Sequence, residues 1–201
     1  MDFFKESISK KNIIDVCDIK KNDKVLVVGM YHNMIDDLLL KGCYVDVLNE
    51  NINNKYDKII IYGIDSKFEH LLRFLKSLLK ENGYIFIACD NKYGMKFFNG
   101  VKYNNDYYSG ILGDCKLFSC YELRKIIKDS GLKCYFYYPL PEYELPFEIY
   151  SEDYLPSVIN NVGHSFKEDR YIFFDENKAL VEANRSGVFE MFANSYLIKC
   201  W

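Results

Sequence analysis

The run Lys24-Val25-Leu26-Val27-Val28-Gly29 constrains this chain most. It reads as an apolar strand, covered on both faces, that ends on a glycine where a helix begins. Asn33 is placed to cap that helix, which runs to about Lys41 and stops at Gly42. A second strand, Tyr44 to Leu48, then ends on the polar tip Asn49 and Glu50.

The alternation continues. Tyr56-Asp57-Lys58-Ile59-Ile60-Ile61-Tyr62-Gly63 is a third strand, nearly continuous in apolar residues. Ser66 is the expected cap of a helix in which Phe68, Leu71, Leu72, Leu75, Leu78 and Leu79 recur at helical spacing. Asn82-Gly83 is its expected stop, before a strand over Tyr84–Cys89. Ser119 is expected to cap another amphipathic helix, with Leu123, Ile126 and Ile127 inward and Gly131 as its stop. Lys133–Tyr138 and Ser195–Trp201 read as strands, and Glu168 to about Asn184 as a helix. All four prolines lie between Pro139 and Pro156 among many aromatics, which predicts an ordered cap over about 139–160. Strand, glycine turn, helix, strand and polar tip open a nucleotide-type Rossmann unit. The expected fold is α/β, a mostly parallel Rossmann-like sheet in a single domain over 1–201.

Charge and cysteines exclude several function classes. The net charge is −3 with no basic block, so nucleic acid is not an expected partner. No apolar stretch approaches the roughly 20 residues of a membrane span. Seven cysteines without Cys-x-x-Cys spacing, several beside strands (Cys43, Cys89, Cys134, Cys200), suit a reduced, cytoplasmic protein. His32, His70 and His164 are too scattered to suggest a metal site. His32 lies in the loop after strand one, where it could act as a base, and His70 reads as a surface residue. No nucleophilic triad or phosphate loop is present, and no residue stands out as catalytic.

Asp90-Asn91-Lys92-Tyr93 follows the carboxyl end of a central strand, where open α/β sheets hold ligands. Tyr143 and Tyr150, with Glu144, Glu148, Glu152 and Asp153 nearby, offer aromatic faces and acceptors of the kind that bind sugars. The same aromatics also suit, and more often form, a packed cap over the sheet edge. Asp90, Asn91, Lys92, Tyr93, Tyr143 and Tyr150 are the candidate substrate residues.

The order of elements, with Lys80-Glu81-Asn82-Gly83-Tyr84-Ile85-Phe86-Ile87, resembles class I S-adenosylmethionine (SAM)-dependent methyltransferases. Asn91–Gly100, Tyr107–Ile111, Phe136–Pro146, Tyr150–Pro156 and Phe189–Leu197 resemble a bacterial methyltransferase-like family associated with surface-polysaccharide glycosyltransferases. The resemblance implies SAM as cofactor, held by Gly29, Met30, Asn49, Glu50 and Gly63. It also implies a sugar or surface-glycan precursor as substrate and a glycosyltransferase as partner.

Two departures fall in the cofactor half. The loop Gly29-Met30-Tyr31-His32-Asn33 has one glycine where the family carries several. Six residues, 51–56, separate Glu50 from Asp57. They reach at most about 20 Å, too short for the helix, strand and adenine-contacting loop of the family pattern. One strand is therefore expected to be missing after Glu50. Two functions stay open: a methyltransferase acting on a glycan precursor, or a non-catalytic pseudo-methyltransferase serving as a binding or scaffold module.

Overall fold

Buried apolar strands alternating with one-faced helices can hide both surfaces only by stacking helices on each side of a sheet. The computed structural model has this arrangement and describes residues 13–29, 32–49, 52–103, 106–107, 117–159 and 172–201. Expectations for Met30, Glu50, His164 and the Tyr108–Ile111 run lie outside the described residues.

Seven strands form the main sheet: β1 (Lys24–Val28), β2 (Tyr44–Val47), β3 (Tyr56–Tyr62), β4 (Leu79–Asp90), β7 (Cys134–Leu140), β8 (Glu148–Ser151) and β9 (Ser195–Cys200). Their spatial order is β2-β1-β3-β4-β9-β7-β8, and the short strands β5 (Lys102–Tyr103) and β6 (Asp106–Tyr107) pair separately. β1 pairs in parallel with β2 on one side and β3 on the other, and β3 pairs in parallel with β4, the mostly parallel sheet that the alternation of strand and helix implied. β9 runs antiparallel to both β4 and β7.

Side-chain alternation divides the core. Leu26, Ile59, Ile61, Ile85 and Ile87 face helices α2 (Phe68–Ser77), α4 (Cys120–Asp129), α5 (Glu176–Arg185) and α6 (Phe189–Phe192). Val25, Val27, Ile60, Phe86 and Leu197 face α1 (His32–Leu40) and the 3-10 turn Ile13–Asp15. A four-residue helix, α3 (Met95–Phe98), follows the end of β4.

The missing strand shows at one edge. Among the described residues nothing pairs with the outer side of β2, and Tyr44 there is 66% exposed. No helix or strand is described between Val47 and Tyr56. At the far edge β8 adds a strand that the sequence reading did not expect.

Several boundaries also differ from expectation. α2 starts at Phe68 after Lys67, without a side-chain cap from Ser66; the Asp65 carboxylate instead accepts from the Lys67 amide at 2.8 Å. The helix ends at Ser77, so Asn82-Gly83 lies within β4. There Tyr56 pairs with Leu79 and Lys58 with Tyr84, so the ladder skips across the intervening polar residues. The Pro-rich segment is partly sheet: β7 continues through Pro139 to Leu140, and β8 returns antiparallel to it. α5 begins at Glu176, capped by the Asp175 side chain accepting from the Lys178 amide.

Ser119 does cap α4. Its hydroxyl accepts from the Glu122 amide, and the Glu122 carboxylate accepts from the Ser119 amide at 2.8 Å. Ser119→Ala should cost about 1 kcal/mol, read as a lower urea midpoint at unchanged slope. A midpoint equal to wild type would show that this cap contributes nothing.

Candidate functional site

The ends of β1 to β4 and of β7 open on the same sheet edge, because β7 is antiparallel to β9, which is antiparallel to β4. That carboxyl edge collects the loops in which an α/β sheet holds ligands. Gly29 and Gly63 sit there on adjacent strands and differ in kind. Gly29 has φ +96°, and a Cβ on it would fall 2.2 Å from the Tyr62 carbonyl oxygen. Its lack of a side chain therefore serves the approach of two strand ends. Gly63 has φ +79° with nothing within 4 Å of where a Cβ would point. Here the bare backbone faces open space, a cradle that a ligand can approach closely. Asn49 is exposed, with its amide turned toward the Val47 carbonyl at 3.4 Å.

The loop after β4 is built around a group the sequence reading missed. Lys96, on α3, is fully buried and donates to Asp90 Oδ1 at 2.6 Å and to Glu142 Oε2 at 2.9 Å. Burial lowers the Lys96 pKa, and the two carboxylates more than offset this, so the pKa lies above its ordinary value. A lone charge in the run Met95-Lys96-Phe97-Phe98 was the available signal.

Asn194 continues the network. Its Oδ1 accepts from the Lys96 amide at 2.7 Å, and its Nδ2 donates to the Pro141 carbonyl at 3.0 Å and to Glu176 at 3.3 Å. Glu176 also accepts from Asn99, whose Oδ1 accepts from the Phe173 and Phe174 amides. Together these bonds fix α3, the turn after β7, the start of β9 and the start of α5. Buried polar groups satisfied in this way position backbone firmly.

The expected substrate residues divide accordingly. Asn91 is buried, and its amide donates to the Met191 and Ala193 carbonyls, both at 2.7 Å, so it ties the loop to β9. Lys92 and Tyr93 are partly exposed at the mouth, with Lys92 Nζ 3.6 Å from Glu122. Tyr143 comes to the site: its ring meets Tyr62 edge-on at 4.9 Å. Burial, then the nearby Asp90 charge, pushes the Tyr143 hydroxyl pKa far above its usual value, so it remains protonated.

Tyr150 does not join them. It packs on the opposite face of the sheet from Tyr143, stacked on Tyr154 and bonded to Glu148, and is 4% exposed. The two tyrosines are separated by the sheet, so they do not line one cleft, and Tyr150 is a core residue. Of the histidines, His70 is exposed on α2, and His32 opens α1. No group of three metal-ligating side chains occurs among the described residues, and none of their helices is long and apolar enough to cross a membrane.

No protein-family model matches the sequence, and no curated protein matches it. Solved structures do. A SAM-dependent methyltransferase from Archaeoglobus fulgidus aligns at TM-score 0.55 and 13% identity, over 93% of this chain and 88% of that one. A putative methyltransferase in complex with the Haloferax volcanii Trm112 activator gives 0.54 and 14%, over 93% and 85%. Geranyl diphosphate C-methyltransferase from Streptomyces coelicolor, solved with Mg2+, geranyl diphosphate and S-adenosylhomocysteine, gives 0.50 and 12%, over 94% and 75%. The fold is that of the SAM-dependent methyltransferases. Identities this low carry the fold alone. Within that methyltransferase fold, Gly63, Asp90, Lys96, Glu142 and Tyr143 gather along one edge, with Lys92 and Tyr93 at its rim.

Proposed function

We propose that this protein binds SAM across the carboxyl ends of β1, β2 and β3 and transfers its methyl group to an acceptor held beside Asp90–Tyr93. The open backbone at Gly63 carries this reading, because it offers close approach at the strand end where the fold receives ligands. When bound, the cofactor supplies an electrophilic methyl group on sulfur. Such a transfer needs mainly alignment, with a base only for some acceptors. Asp90 and the turn carrying Glu142 and Tyr143 are held by Lys96 and Asn194, which keeps the acceptor side rigid. Lys92 and Tyr93 at the rim offer a cation and an aromatic face to a small hydroxyl-bearing acceptor. A sugar or glycan precursor fits that chemistry, though without the contribution of Tyr150 first expected.

A second reading has its own observation. The sheet ends at β2, whose outer side is unpaired among the described residues, so a cofactor held across β1 and β2 would have no further strand beside it. A chain that lost the cofactor altogether would serve as a binding or scaffold module.

Calorimetry with SAM and S-adenosylhomocysteine separates the two. Saturable binding with Kd weaker than about 100 μM, about −5.5 kcal/mol or less favourable, is the expected result. Gly63→Val should abolish it, measured well below the melting temperature of the variant. Absence of any saturable heat at millimolar cofactor would leave the scaffold reading. Low-micromolar affinity would show that the open β2 edge costs the site nothing.

A further inference from the structure

Lys58, on β3, is only 6% exposed although it carries a charge. Its Nζ lies 4.3 Å from the centroid of the Tyr84 ring, and Lys199 Nζ lies 4.0 Å from the same centroid. β4 runs between β3 and β9, so the two lysines reach Tyr84 from the strands on either side. A ring face attracts a cation but accepts no ordinary hydrogen bond, and each ammonium brings three donors.

Among the described residues, neither ammonium has a hydrogen-bond acceptor or a carboxylate within ion-pair distance. Asp18, exposed on the turn before β1, acts on Lys199 only from farther off. Asp15 pairs with Lys41 at 3.1 Å. Burial pushes the nearby Cys17 thiol well above its ordinary pKa, so it supplies no counter-charge. Burial, and then the charge of Lys58, lowers the pKa of Lys199. Two like charges brought to one ring without an anion are costly, one of them largely desolvated.

We propose that Lys58 and Lys199 form a binding site for a phosphate-type oxyanion, with the Tyr84 ring between their strands as its floor. Two ammoniums match the two charges of a phosphate monoester or inorganic phosphate, whose oxygens would accept the free donors. The site sits toward the amino edge of the sheet, away from Gly63 and Asp90. It is therefore independent of the methyl-transfer reading.

The test is a melting series in which sodium chloride is replaced by sodium phosphate at constant ionic strength. Wild type is compared with Lys199→Met, which keeps the apolar stem of this partly buried side chain. Phosphate raises the stability of most proteins by exclusion from their surface, so only the difference between the two counts. Wild type should show a saturable rise, and Lys199→Met a response weaker by about tenfold or more in apparent affinity. In chloride alone the variant should melt close to wild type, since the repulsion from Lys58 that it loses offsets the lost attraction to the Tyr84 ring. A parallel series with glycerol 3-phosphate distinguishes free phosphate from a phosphate carried by an organic ligand. Equal responses of the two proteins, or a wild type that shows no saturable rise with either ligand, would overturn the site.

Discussion

Lys96→Met is expected to remove about 3–5 kcal/mol of stability, the usual cost of breaking a buried ion pair from one side. The substitution leaves Asp90 and Glu142, both nearly buried, facing each other without the ammonium between them. Domains of this size are stable by only about 5–15 kcal/mol, so much of the chain should unfold at modest urea concentrations. Adding Asp90→Asn and Glu142→Gln to Lys96→Met should recover most of the loss, because the two facing carboxylate charges are then removed as well. A single variant that unfolds at the wild-type midpoint would sink this account.

The pH dependence has a definite sign. Against burial, the two carboxylates raise the folded pKa of Lys96 above the ordinary 10.5. Its contribution is then fully present below that ordinary value and fades only as pH climbs through the higher folded one. Wild type should therefore lose stability on the alkaline side more steeply than Lys96→Met does.

Gly29→Ala is the second large effect, with an expected loss of at least about 3 kcal/mol. Its φ of +96° strains any side chain, and the new Cβ would fall 2.2 Å from the carbonyl of Tyr62, a backbone atom that cannot swing aside. β1 and β3 would have to part at the carboxyl edge. Gly63→Ala is the control: its φ of +79° is also positive, but the space around it is open. It should cost only about 1–2 kcal/mol, the price of the left-handed conformation alone. Urea unfolding of both variants decides the matter, and equal losses would mean that the contact with Tyr62 yields easily.

Much of this fold was legible because its signals are local. The apolar runs of β1 and β3 and the parallel order of the first four strands follow from alternation of buried strand and one-faced helix. The Ser119–Glu122 capping box is legible because its partners lie three residues apart. Boundaries set by competition between neighbours were not. α2 stops at Ser77 because the chain from Leu79 pairs with Tyr56, and an apolar residue at position 78 or 79 looks the same in a helix or a strand. The return of β8 beside β7 was hidden by prolines, whose effect depends on whether their missing donor faces a partner strand.

The sequence by itself determined the α/β class, the strand lost after Glu50, the glycines at two strand ends and the polar loop after β4. Each is a property of a short window: a periodicity, a chain length or a residue type. Only the tertiary structure decided which glycine opens on free space and which on a carbonyl, because that depends on where Tyr62 passes. It also decided that Tyr143, in the turn between β7 and β8, packs with one core while Tyr150, on β8, packs with the other, since the turn's path and the register of the returning strand are both set by the sheet. The ion cluster of Lys96, Asp90 and Glu142 brings together residues six and 46 positions apart. No local pattern encodes that meeting; the sheet makes it by returning β7 to the edge where β4 ends.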